Sequence, residues 1–99
     1  MDYSLLFPLF DLNLKSYFVN CKSNEDFLKA VIEIYRNNKE SRIKEAALSV
    51  YMAYRDHYPR YLSCLNQIEI VELDRDIEKN FSRVIKLRRI VLGQLAKVA

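Results

Sequence analysis

The sequence predicts an all-α single domain of four to five helices, bundle-like, with a long C-terminal helix. Three observations carry this. There are one Gly and two Pro in 99 residues, whereas a β-rich fold of this size needs many tight turns built on Gly, Pro or Asn-Gly pairs. Hydrophobic residues make up 51% of the chain, enough for a core without disulfides or metal staples. Apolar residues also recur at helical spacing from one end to the other. Residues 1–99 are therefore expected to form one all-helical domain.

The first element is expected within residues 3–20, where Phe7, Phe10, Leu14, Tyr17 and Phe18 fall on one face. Pro8 places the helix start at or just before itself, since proline fits only the first turn. The residues before it form either core or an apolar arm that docks on a second subunit. Ser23 followed by Asp26 resembles a capping box with Asp in place of Glu. It opens a helix over 24–37 with Phe27, Leu28, Val31, Ile34 and Tyr35 inward. Asn37-Asn38 is expected to end it in the left-handed conformation. Ser41 is expected to cap a helix over 41–57, whose buried side is Ile43, Ala46, Ala47, Val50, Tyr51, Ala53, Tyr54 and His57. Its alanines suit close approach to a neighbouring helix. Pro59 ends it and can serve as the first-turn proline of the next segment.

From Arg60 to Leu92 there is no Gly or Pro. A break fits at Asn66-Gln67, where the apolar register changes. Beyond it one helix is expected from Gln67 to about Lys97, roughly 45 Å long at 1.5 Å per residue. The expected radius of gyration for a domain of this size is about 13 Å, so such a helix protrudes or packs on a partner. Every seventh residue is β-branched: Ile70, Ile77, Val84, Val91, Val98. Leu73 and Leu87 fall three after two of these, with Asn80 and Gln94 in the equivalent slots. This heptad predicts a homodimer seam of Ile70, Leu73, Ile77, Asn80, Val84, Leu87 and Val91, with Asn80 as a polar register-setting residue.

Charge is segregated along the same stretch. Glu69, Glu72, Asp74, Asp76 and Glu78 come first; Lys79, Arg83, Lys86, Arg88, Arg89 and Lys97 come after, with no acid among them. The helix dipole favours this order only in the terminal turns. Like-charge neighbours such as Lys79 and Arg83 are mildly unfavourable in isolation. An antiparallel copy would set acidic half against basic half. Alternatively Lys79, Arg83, Lys86, Arg88 and Arg89 form a patch for an anionic partner, either nucleic-acid phosphates or an acidic protein. The bland reading is a solvated face of a bundle.

Tyr51, Tyr54, Tyr58 and Tyr61 form an aromatic stripe with Arg55 and Arg60 interleaved. Such a stripe suits base stacking or a protein hot spot, but tyrosines at helical spacing are more often at the core rim, with the hydroxyl in water. Nothing resembles catalytic or metal chemistry. His57 is the single histidine, Cys21 and Cys64 have no ligand spacing, Pro59 separates His57 from Cys64, and there is no glycine-rich phosphate loop. A helix–turn–helix over 24–57 would present Arg42 and Lys44, but its turn lacks glycine. The two cysteines read as thiols in a reducing compartment. The absence of a basic leader or a long apolar run points to a cytoplasmic protein without membrane, metal or cofactor. A net charge of +3 is mild. The expected function is non-enzymatic: a small regulatory or adaptor protein that binds another protein, as a homodimer through the C-terminal helix. The alternative is a nucleic-acid-binding regulator using the basic half of that helix.

Overall fold

The computed structural model describes residues 12–98. Among these the chain forms a 3-10 segment, Leu12–Phe18, then α1 (Asn24–Asn37) and α2 (Ser41–His57). A second 3-10 segment, Pro59–Cys64, leads to α3 (Gln67–Lys79) and α4 (Phe81–Val98), and no strand occurs among the described residues. The fold class is thus all-α, with the last helix the longest at 18 residues. No helix among the described residues is long and apolar enough to cross a membrane.

The expected first helix takes the tighter 3-10 form over Leu12–Phe18. Leu14 and Phe18 are buried, and Phe18 packs on Phe27 with ring centroids 5.2 Å apart. Phe7, Phe10 and the apolar arm lie outside the described residues. At the start of α1 the Ser23 hydroxyl accepts the Asp26 N–H at 3.1 Å. The Asp26 carboxylate reaches one residue further back than a capping box requires, accepting the Lys22 N–H at 3.1 Å. The helix buries its five expected residues and also Asn24, Ala30 and Ile32. Its end differs from expectation. Asn38 is extended, with φ −117° and ψ 139°. Its backbone N–H and its side-chain amide both donate to the Ile34 carbonyl, at 3.1 and 3.0 Å. That carbonyl therefore has its partners without a left-handed residue.

Helix α2 begins at Ser41, but Glu40 is the cap residue and no side chain caps the helix. The expectation that Ser41 caps it is therefore corrected. Every residue from Ala46 to Tyr54 is buried. A helix apolar on all sides is surrounded by neighbours, and α1, α3, α4 and the second 3-10 segment all pack on α2. Leu48, Ser49 and Met52 join the core beside the expected face. The buried Ser49 hydroxyl is satisfied locally, donating to the Ala46 carbonyl at 2.6 Å. His57, expected inward, is exposed, because α2 has passed the core by its last turn.

The single helix expected over 67–97 is two helices that meet at Asn80. Upstream, Asn66 supplies a complete capping box with Glu69: its side chain accepts the Glu69 N–H at 2.8 Å, and the Glu69 carboxylate accepts the Asn66 N–H at 3.1 Å. At Asn80 the backbone leaves the helical basin, with φ −126° and ψ 27°. The Asn80 side chain donates to the Asp76 carbonyl at 3.2 Å, a carbonyl that its own backbone N–H would take in a continuous helix. That N–H donates to Ile77 instead, at 3.1 Å, and the Asn80 carbonyl opens α4 by accepting the Val84 N–H at 3.1 Å. The bend has a packing cause. Leu73 and Ile77 on one side, and Val84, Val91 and Leu95 on the other, are all buried. A straight helix over 67–97 would overrun α2, whose 17 residues span only about 26 Å. Bending wraps both halves around it, within a molecule of 30 × 27 × 24 Å.

Candidate functional site

The heptad row belongs to the chain's own core. Leu73, Ile77, Val84 and Val91 are buried within one chain, so a seam made of them is closed to a second folded copy. Ile70 and Leu87 are half-buried. Asn80 is the exposed junction of two helices and does not set register inside a seam. A heptad of β-branched residues cannot distinguish a seam from a face that packs on α2, because both need the same apolar row.

The charges are similarly used within the chain. In the acidic half, Glu69 pairs with Arg36 at 2.9 Å, Tyr35 donates to Asp76, and Asp74 accepts from Tyr51 at 2.8 Å and Arg55 at 3.0 Å. In the basic half, Arg83 pairs with Glu45 at 3.1 Å and Arg88 with Asp56 at 2.6 Å. Asp56 also accepts from Arg55 at 3.0 Å, so Tyr51, Arg55, Asp56, Asp74 and Arg88 tie α2, α3 and α4 together. Burial pushes the Asp56 carboxyl upward, but hydrogen bonds and charge from Arg55 and Arg88 outweigh it and hold the group below the usual range. Burial, then the hydrogen bond to Asp74, pushes the Tyr51 phenol well above its usual range. The predicted patch is therefore divided. Lys79 sits on α3 before the bend, and Arg83 and Arg88 have acidic partners. Lys86 and Arg89 stay exposed on the outer face of α4, beside Ile90 and Lys97.

The aromatic stripe also separates. Tyr51 and Tyr54 are buried, ring and all, which corrects the rim reading for both. The Tyr54 hydroxyl donates to Asn24 Oδ1 at 2.8 Å rather than to water. Its ring meets Tyr58 and Tyr61 edge-on, with centroids at 6.2 and 5.8 Å. Tyr58 and Tyr61 are half-buried, with the Arg60 guanidinium 4.6 Å from the Tyr61 ring centroid. The stripe is a packing cluster joining α1, α2 and the second 3-10 segment. Cys21 and Cys64 are half-buried, and burial raises both thiols, Cys64 against an opposing pull from Lys29. A raised thiol is a poor nucleophile near neutrality. Among the described residues no three His, Cys, Asp or Glu side chains converge as a metal site requires.

The outward face of α3, like the exposed Val19, Phe81 and Ile90, has no role in the core. Ile68 is 79% exposed and Val71 47% exposed. With Gln67, Glu72 and Arg75 they line an open concavity of about 420 Å³. At 100° per residue, Ile68 stands about 180° around the helix from Ile77, so the pair lies on the side away from the core. The heptad reading passed over them because it tracked the buried row. A signal was present in the sequence: two β-branched residues three apart, on the helix side that also carries Glu72, Arg75, Glu78 and Lys79. Apolar side chains fringed by opposite charges suit an amphipathic protein surface. No protein-family model, curated protein or solved structure matches this chain.

Proposed function

We propose that this chain is a small non-enzymatic regulatory or adaptor protein that binds another protein through the outward face of α3. The observation that carries this is the exposure of Ile68 and Val71 around the 420 Å³ concavity. Fully burying a side chain of this kind contributes about 1.5–3 kcal/mol. Glu72 and Arg75 at the edge would set orientation more than affinity. The test compares the native chain with Ile68→Asp/Val71→Asp as bait in lysate of the source cell. Both substitutions sit on a solvent-facing side, so circular dichroism should show an unchanged fold. A protein retained by the native chain and lost with the double variant supports the reading. Identical captured sets overturn it.

A second reading rests on α4, which contains no acidic residue. Lys86, Arg89 and Lys97 lie on its outer face with no ion pair among the described residues. These three cations could track nucleic-acid phosphates. The expected salt slope is then modest, about −0.9 per phosphate neutralised. Titration of mixed-sequence duplex at two salt concentrations tests this, and no binding at low salt excludes it.

A further inference from the structure

We propose that this chain pairs with a second copy of itself by exchanging α4, the bend at Asn80 opening so that α3 and α4 fuse into one helix. Three observations converge on this arrangement, and none involves the outward face of α3.

The two helices are separated by one residue. Asn80 closes α3 through its N–H bond to Ile77 and opens α4 through its carbonyl bond from Val84. Moving its φ and ψ from −126° and 27° to the helical values of about −63° and −42° makes the helix continuous. No glycine or proline between Gln67 and Leu92 obstructs this. The Asn80 N–H would then take the Asp76 carbonyl that its side chain now occupies.

The buried faces on either side of the bend are in phase. Val84 lies seven residues after Ile77 and eleven after Leu73, which at 100° per residue is within about 20° of the same direction. In the fused helix Leu73, Ile77, Val84, Val91 and Leu95, all buried in the bent form, fall along one face, interrupted at the hinge by Asn80 in the same phase. Two helices that merely abut at a turn have no reason to share a phase.

The contacts of α4 can be exchanged without being redesigned. Helix α4 packs chiefly on α2 and only slightly on α3, and its ion pairs, Arg83 with Glu45 and Arg88 with Asp56, both reach α2. If α4 of one copy occupies the α2 surface of the other, each of these contacts is reproduced between chains. Only the hinge and the association entropy differ, which is the condition under which exchange of an identical element is a low-cost route to a dimer. Phe81 is exposed and next to the hinge.

The hinge is tested first by light scattering over a concentration series. Asn80→Ala improves helix propensity at both hinges of a dimer and removes the side-chain bond to Asp76. It should raise the dimer association constant about tenfold, whereas Asn80→Gly should lower it about threefold. The exchange itself is tested by complementation. One copy carries Asp56→Lys and the other Arg88→Glu, so each alone sets like charges between α2 and α4. When the two are refolded together, an exchanged heterodimer pairs opposite charges at both of its α2–α4 contacts. It should appear as a mixed dimer in native mass spectrometry and melt above either variant alone. A mixture that melts no higher than its components overturns the proposal, as does an Asn80→Ala chain that stays monomeric at several hundred micromolar.

Discussion

Truncating Val84 should destabilise the folded chain severely, while the same operation at Ile90, six residues along the same helix, should be almost neutral. Val84 has no exposed surface and packs in the core, whereas Ile90 is about half exposed. Val84→Ala removes two methyl groups, worth about 1.6 kcal/mol at roughly 0.8 kcal/mol per buried carbon. The unfilled space costs about another 1 kcal/mol, because neighbours on α2 relax only partly. The sum, about 2–3 kcal/mol, corresponds to a melting point lower by about 10–20 °C for a domain of this length. Ile90→Ala loses partial burial but gains helix propensity, leaving a net change within about 0.5 kcal/mol. Urea titration monitored by far-ultraviolet circular dichroism measures both, and an unchanged denaturant slope keeps the comparison to stability alone. Equal losses for the two variants, or a Val84→Ala chain as stable as the native one, would refute the assignment of the heptad row to the core around α2.

Three further outcomes rest on named contacts. Tyr54→Phe and Asn24→Ala each strand the other half of a buried 2.8 Å hydrogen bond and should each cost about 1–3 kcal/mol. The double variant should lose clearly less than the sum, and strict additivity in thermal melts would show that the two do not interact. Asp56 has a carboxyl held below its usual range by Arg55 and Arg88, so the stability it contributes is present above the unfolded value of about 3.9 and is lost as pH falls through the lower folded value. Urea midpoints measured from pH 6 downward should therefore drop less steeply in Arg88→Met than in the native chain, and parallel curves would contradict the pairing. Asn66→Ala removes the capping box with Glu69 and should cost about 1 kcal/mol, read as a melting point lower by about 4–8 °C.

Elements whose ends are written in local chemistry were legible from the sequence. Ser23 with Asp26 marks the start of α1 and Pro59 the first turn after α2, whereas the break at Asn66 is visible as a change of apolar register and its capping box with Glu69 is found only in the structure. The first two use a side chain acting on backbone within a few residues, so no tertiary knowledge is needed. The centre of the fold was not legible in the same way. Helix α2 is buried on all sides from Ala46 to Tyr54, yet its three alanines, Ser49 and two tyrosines give it an ordinary amphipathic look, because small residues admit neighbours without large apolar side chains. The charge partners were hidden for a related reason. Asp56 and Arg88 are 32 residues apart, and only the packing of α4 on α2 brings them together. The outward apolar pair of α3 was hidden by the stronger signal on the opposite face: once Ile70, Leu73 and Ile77 are read as the packing row, Ile68 and Val71 look like background.

The bend at Asn80 is where local and global preferences diverge. Locally, 67–97 favours one helix, with no proline and an apolar row in constant phase. Globally, burying both halves of that row against one short α2 requires a turn between them. Asparagine suits the conflict, because its amide can cap a helix end by donating to the Asp76 carbonyl, while as an interior residue it costs only about 0.7 kcal/mol relative to alanine. A glycine or proline at this position would have settled the matter in favour of the bend, and an alanine or leucine in favour of the straight helix. With asparagine, the covering of α2 decides: its own chain can cover it only by bending, and a second chain can cover it with the helix extended. In the exchange proposed above, the heptad row would serve as core in both arrangements, and pairing would turn on one residue's dihedral angles rather than on a separate interface.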